Sequence, residues 1–350
     1  MLNVAEFDLP YSFFSDAISA SLAPQYNMEK SLEDLYAKHR GKKADKWQSY
    51  LRVYDKLLHI YRNRNIDLLE IGIQNGGSLE IWSQFFRSAE HLIGCDINPD
   101  CGTLHFEDER IDVVIGDASK KCTQEAILSK CDKFDIIIDD GSHTSADIIV
   151  TFSGLFPHLR DGGLYIVEDI HCSYWTEFGG GLYNQLSAIS FMKRLSDIVN
   201  FEHWGVNLTR RDLLEPLKNF YRFDLDESDL GHIYSVDFTN SMVVIQKESS
   251  EYNTLGKRII TGKNADVAHQ INTYGEDQSE LIPQTLEGLV DPINYALELE
   301  ERKAKIDSLS QHLRAKDEII QHLLNSTSWK VTRPLRALKN FLQPPGTSQQ

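Results

Sequence analysis

At 350 residues, with 41% apolar side chains, 14 Tyr and 16 Phe, the chain can bury one full α/β domain and carry an accessory region; this composition excludes a disordered protein. A formal net charge of -16 argues against nucleic acid as a partner for the whole molecule, because phosphate backbones are bound through Lys and Arg. The 5 cysteines, odd in number and without CxxC spacing, favour reduced thiols in a cytoplasmic protein over a disulfide framework or a zinc site.

The first residues, MLNVAEFDLPYSFF, show neither a basic stretch nor a long apolar run, so no signal peptide is expected. Nowhere does the sequence approach the ~18 uninterrupted apolar residues of a membrane span. Residues 1–45 read as an N-terminal extension of mixed composition, with room for two short helices and a basic turn from His39 to Lys43. From Trp47 to Tyr61 apolar side chains recur at helical spacing (Tyr50, Leu51, Tyr54, Leu57, Leu58, Tyr61), which predicts an amphipathic helix and the start of a domain spanning 46–250. Short apolar runs follow at Ile66–Ile71, His91–Cys95, Ile111–Ile115, Phe134–Ile138 and Leu164–Val167, separated by helix-compatible stretches. That alternation predicts a parallel sheet covered on both faces. The runs His232–Phe238 and Met242–Gln246, joined only by Thr239-Asn240-Ser241, must pair antiparallel, because a parallel crossover needs a dozen or more residues. A parallel sheet ending in one antiparallel hairpin is the arrangement of the Rossmann-like class I methyltransferases, an analogy of fold alone.

Residues 251–293 are polar and aperiodic, a linker. A helix is expected over 294–325, with Leu299, Ile306, Leu313 and Ile320 at one heptad position and Arg302, Leu309, Lys316 and Leu323 at the other. With half of the second seam charged, both a short coiled coil, and with it a homo-oligomer, and a helix docked on its own body remain open. Residues 326–350 form a basic amphipathic tail in which Lys330, Arg333, Arg336 and Lys339 alternate with Trp329, Leu335, Leu338 and Phe341. Such a tail suits peripheral contact with the inner face of a membrane, or docking on the acidic body.

The first strand runs into Glu70-Ile71-Gly72-Ile73-Gln74-Asn75-Gly76-Gly77-Ser78, a glycine loop opening a helix. Gly72 and Gly76 permit a tight turn and close backbone approach, and Ser78 stands where the helix offers free N–H groups; a purely structural turn accounts for such a loop equally well. Glu70 favours a methyl donor over a dinucleotide, since S-adenosylmethionine carries an amino group and a sulfonium rather than a pyrophosphate. Asp96, ending the second strand, suits ribose hydroxyls, and Asp117, ending the third, suits the adenine edge. Each acid alone is more commonly a helix cap. Three acids at successive carboxyl strand ends mark the ligand edge of an open α/β sheet.

The fourth strand leads to Asp139-Asp140-Gly141-Ser142-His143 and the fifth to Glu168-Asp169-Ile170-His171. Four carboxylates at one rim are unfavourable without a cation, and oxygen ligands favour Mg²⁺ or Mn²⁺. Asp140, Glu168 and Asp169 are the expected ligands, and His143 is the expected general base toward a hydroxyl acidified by the metal. Asp139 and His171 have bland readings as a capping residue and a packing residue.

The segments EIGIQNGGS, DDGSH and HLRDGGLYIVEDIHCSYW resemble the Mg²⁺-dependent sugar O-methyltransferases of macrolide antibiotics and the wider cephalosporin hydroxylase-like and rhamnosyl O-methyltransferase group. The resemblance covers roughly residues 46–250. It implies S-adenosylmethionine and Mg²⁺ as cofactors, agrees in spacing with the metal set and the base, and points to a sugar or glycan acceptor bordered by Tyr174–Gly180. The tail Ser326–Arg336 looks like tails of bacterial surface-polysaccharide enzymes, which turns the expectation from a macrolide toward a surface glycan.

Overall fold

The structure, a computed structural model, describes residues 30–269, 271, 282–286 and 291–336. The first 29 residues of the expected N-terminal extension and residues 337–350 of the expected tail lie outside the described residues. A 7-stranded sheet runs in the order β3-β2-β1-β4-β5-β7-β6, built from β1 (Asp67–Ile71), β2 (His91–Asp96), β3 (Ile111–Ile115), β4 (Phe134–Asp139), β5 (Leu159–Val167), β6 (Ile233–Thr239) and β7 (Met242–Lys247). The first five strands are parallel, and β7 lies antiparallel to both β5 and β6. Strand β5 begins at Leu159 rather than at Leu164, because Gly162 takes a positive φ and a bulge absorbs the change of register against β4.

Alternation along the inner strands fills two cores, one on each face of the sheet. Leu69 and Ile137 point into one core, beside α4 (Lys121–Lys130), α5 (Ser145–Leu155) and α6 (Ala188–Val199); their neighbours Leu68, Ile136 and Ile138 point into the other. The second core is capped by α1 (Leu32–Lys38), α2 (Gln48–Leu58) and α3 (Gly77–Phe85). In α2 the buried residues Tyr50, Leu51, Tyr54 and Leu58 form one stripe, and Tyr54 meets Trp82 of α3 edge-on at 5.3 Å. Leu32 and Leu35 of α1 are buried in the same core, so packing of the body begins before residue 46.

Order in the sheet reverses between β1 and β4: β1 connects outward to β2, and β4 continues on the other side to β5. At such a switch point the loops beyond the carboxyl ends part and leave a crevice. Beyond β5 come α6, α7 (Arg210–Tyr221) and α8 (Glu227–Gly231), and only then the hairpin. A 34-residue helix, α9 (Pro292–Asn325), is followed by α10 (Thr327–Val331). Only its base docks: Ile293 is fully buried, and Arg194 pairs with the capping Asp291. The remaining turns, including Ile306, Leu309 and Leu313, are exposed along most of a rod about 51 Å long. No described helix is long and apolar enough to cross a membrane.

Candidate active site

The crevice at the switch point is a cleft of about 270 Å³, lined among others by Gly72, Gln74, Asp96, Asp117, Asp140 and His143. Close approach of backbone makes it. A Cβ on Gly72, whose φ is +86, would lie 2.0 Å from the carbonyl oxygen of Asp140, so only glycine lets the β1 and β4 loops touch. On one side of the cleft, Asp96 accepts the backbone N–H groups of Gln74 and Asn98, both at 2.9 Å. Asp117 accepts the N–H of Ser119 at 2.9 Å and its hydroxyl at 2.6 Å. Burial pushes Asp117 up, but the bonds from Ser119 and the nearby Lys120 ammonium more than offset it and hold the carboxyl below its usual range.

Three residues expected at the cofactor sit elsewhere. Glu70 is fully buried and turned inward, accepting the Ser78 hydroxyl at 2.6 Å, so Ser78 serves Glu70 rather than the cleft. Gly76, with φ +77, caps α3, and a Cβ there would strike Phe106 at 2.7 Å. Neither Glu70, Gly76 nor Ser78 lines the cleft.

Across the cleft, β4 and β5 run side by side, with Asp139 opposite Val167, and so deliver Asp140 beside Glu168. Asp140, His143 and Asp169 each bring one ligand atom within 4.8 Å of the others, and His143 Nε2 lies 3.9 Å from Asp169 Oδ2. Glu168 stands apart from that trio. It is buried and accepts the Tyr54 hydroxyl at 2.5 Å and the Lys46 ammonium at 2.7 Å. Burial pushes its carboxyl up, against the pull of that ammonium. Asp139 is buried too, facing Tyr165 OH at 3.3 Å, and burial pushes it up to about 7. His171 bonds Ser241 and stacks edge-on with Trp175, a packing role beside the rim. Backbone strain gathers at this rim: of the five described non-glycine residues at positive φ, Gln74, His143, Asp169 and Ser241 lie around it, and Arg222 caps the C-terminus of α7. Each such residue costs on the order of 1 kcal/mol and persists where surrounding contacts hold it, as at binding sites.

A profile of the family described as "Methyltransferase domain" matches residues 69–170. The chain is 33% identical over 191 residues to the demethylmacrocin O-methyltransferase of Streptomyces fradiae, covering 52% of this chain and 47% of that protein. It is 35% identical over 164 residues to the 8-demethyl-8-alpha-L-rhamnosyl tetracenomycin-C 2'-O-methyltransferase of Streptomyces olivaceus, covering 44% and 42%. The chain thus spans about half the length of the curated relatives it matches. Among solved structures, the methyltransferase MycE of the mycinamycin biosynthetic pathway, in complex with Mg, SAH and mycinamycin VI, superposes with a TM-score of 0.52 at 26% identity, covering 64% of this chain and 55% of that one.

Sequence reasoning missed the group that ties the sheet's acidic edge together. The Lys46 ammonium, its side chain 3% exposed, lies 2.5 Å from Asp140 Oδ2, 2.7 Å from Glu168 Oε1 and 3.4 Å from Glu70 Oε1. Burial pulls the ammonium down, but the carboxylates of Glu168, Glu70 and Asp140 outweigh it and hold Lys46 well above its ordinary value. Trp47 Nε1 at 3.1 Å and the Tyr50 hydroxyl at 2.7 Å both donate to Asp169 Oδ1. One stretch, 46–54, therefore contacts Glu70, Asp140, Glu168 and Asp169. The helical pattern of that stretch was visible; a single lysine just ahead of it carries no signal of its target 94 residues away.

A second cavity, of about 780 Å³, opens on the other flank of the α5 N-terminus. Thr144, Phe178, Gly179, Tyr183 and the first turns of α9, through Leu299 and Lys303, line it. Part of the stretch expected to border the acceptor is therefore a cavity wall shared with α9.

Proposed function

We propose that the chain transfers a methyl group from S-adenosylmethionine to a sugar hydroxyl with the assistance of a divalent cation. The observation that carries this reading is the juxtaposition of a switch-point cleft lined by Asp96 and Asp117 with the trio Asp140, His143 and Asp169 at its other edge. The donor set fits a hard cation: the carboxylates of Asp140 and Asp169 converge, Glu168 stands next to them as a further oxygen donor, and the His143 imidazole lies at the same edge, where it would serve as base rather than ligand. The cleft fits the methyl donor through Asp96 for the ribose and Asp117 for the adenine edge. Mg and SAH in the complex of MycE support both assignments.

When bound, the cation acidifies a coordinated hydroxyl and S-adenosylmethionine supplies an electrophilic methyl group. This chain's residues do the rest. Asp140 and Asp169, on adjacent loops, would hold the cation at the edge of the cleft, beside the place of the acceptor hydroxyl. His143, whose Nε2 faces the same edge, would take the hydroxyl proton as the oxygen bonds the methyl carbon and the carbon–sulfur bond breaks, with S-adenosylhomocysteine leaving. The cavity lined by Phe178, Tyr183 and α9 receives the remainder of the acceptor, with ring faces suited to sugars.

The finer reading places the sugar in a bacterial surface glycan or its precursor. An exposed α9, followed by Lys330, Arg333 and Arg336 around Trp329, supports an acceptor held at an assembly rather than a free small molecule. Assays with simple rhamnosides, macrolide glycosides and a catechol test the class. Methylation of rhamnosides in preference to the other two is expected; catechol turnover alone would replace the sugar, and absence of S-adenosylmethionine binding by calorimetry would remove the enzyme reading.

A further inference from the structure

Among the charged groups of the described residues, the Lys46 ammonium is seated in the acidic rim itself, and the reaction above does not use it. Its ammonium is buried, it touches three carboxylates, and two of them, Asp140 and Glu168, are residues to which the cation reading turns for ligands. At 2.5 and 2.7 Å, Nζ occupies the space that these two oxygens jointly face. A divalent ion sharing the same oxygens would sit at about 2.0–2.1 Å from each. The two cations would then lie a few ångströms apart in a site walled off from solvent, where like charges are poorly screened. Tyr36 lies beside the ammonium and Tyr54 bonds Glu168 on the buried side, where Glu70 is the acid to which the ammonium could retreat while remaining paired.

We propose that Lys46 is the internal counter-cation of the acidic rim, and that a divalent ion taking Asp140 and Glu168 as ligands expels its ammonium from that seat. The inference rests on the divalent-cation reading of the rim. It makes Lys46 a positioning residue that sets cation affinity: it holds Asp140 and Glu168 in place ahead of the ion and is exchanged for it. The oxygens then have one cation at all times, so the buried carboxylates need not repel one another between turnovers.

The wild-type chain gives the first test. Lys46 is labelled with an amine-acylating reagent and quantified by mass spectrometry, in chelator and in millimolar Mg²⁺, with exposed Lys121 as the internal reference. Protection in chelator and at least about tenfold faster labelling in Mg²⁺ is expected; equal labelling in both overturns the exchange. The second test is Mn²⁺ binding, read by electron paramagnetic resonance without cofactor or acceptor. Lys46→Met should bind Mn²⁺ at least about tenfold more tightly than the wild type and should gain more thermal stability from it. Lys46→Arg, which keeps a bulky permanent charge in the seat, should bind it more weakly. Equal affinity in all three chains overturns the role of Lys46 while leaving the cation site standing. Absence of Mn²⁺ binding to every chain overturns the cation reading and this inference with it. Should Lys46→Met not fold, the wild-type and Lys46→Arg comparison decides alone.

Discussion

The two halves of the sheet's carboxyl edge hold their acids by different means. At the β2 and β3 ends, Asp96 and Asp117 are fixed by main-chain N–H groups two residues further on, at Asn98 and Ser119. At the β4 and β5 ends, Asp140, Glu168 and Asp169 are fixed by side chains of residues 46–54, 94 to 122 residues away in sequence. The first arrangement is set largely by its own loops, with one further N–H from Gln74 on Asp96, and leaves the carboxylates turned to the cleft. The second exists only once α2 has packed on the sheet, so its chemistry is tied to the stability of a distant element.

Substitutions on the two halves should therefore behave differently. The largest effect is expected for Asp140→Ala, which should abolish cation-dependent turnover while leaving S-adenosylmethionine affinity, measured by calorimetry, largely intact. A comparable loss of cofactor affinity would mean that the halves are not separable. His143→Ala should lower kcat by about 10²- to 10⁴-fold, the range of a general base, with KM little changed; a variant of undiminished kcat removes His143 from the chemistry.

Asp139 sharpens the comparison through pH. Its folded carboxyl titrates at about 7, against an ordinary value of about 3.9 when unfolded. The folded state thus holds the extra proton between those values, and stability contributed by the neutral carboxyl is full at pH 4 and lost as pH rises toward 7. The expected loss is on the order of a few kcal/mol, and Asp139→Asn should flatten that part of the profile in urea unfolding at pH 5 and pH 8. An unchanged slope in the variant would place the titration elsewhere.

Smaller effects separate the two halves most cleanly. Tyr54→Phe strips a hydrogen bond from a buried carboxylate and should destabilise the fold by about 1–3 kcal/mol. Ser119→Ala removes a hydroxyl from Asp117 but leaves its main-chain bond, and should cost no more than about 1 kcal/mol. If the second variant proves the more damaging, the contrast between local and long-range support is wrong.

Much of this was legible in the sequence for a physical reason. Short apolar runs and turn residues mark strands locally and helical spacing marks helices, so the parallel sheet, the hairpin at Asn240-Ser241 and α9 could be read without coordinates. The acids at strand ends were legible because strand order brings such ends to one edge. What escaped was direction and partnership. Glu70 was expected to face the methyl donor, but strand β1 is buried along its whole length and its last polar side chain turns toward Ser78 and Lys46. Glu168 and Asp169 were both expected as ligands from the clustering of acids at adjacent strand ends, but they turn to different sides. Adjacent residues at a strand end point to opposite sides, and Asp169 leaves in a left-handed conformation while Glu168 enters the core side with Tyr54. Lys46 left no trace, since no local pattern encodes a contact between a loop lysine and acids in another part of the chain. The exposed heptad positions of α9 agree with its helical pattern, and its base docks on α7 and Arg194.

The central claim, methyl transfer assisted by a cation at the Asp140–Asp169 rim, is tested most directly by the transfer of labelled methyl from S-adenosylmethionine to a rhamnoside, in chelator and after Mg²⁺ is restored. The account predicts loss of transfer in chelator, recovery with Mg²⁺, and no recovery in Asp140→Ala. Transfer that continues undiminished in chelator, or in that variant, would contradict it.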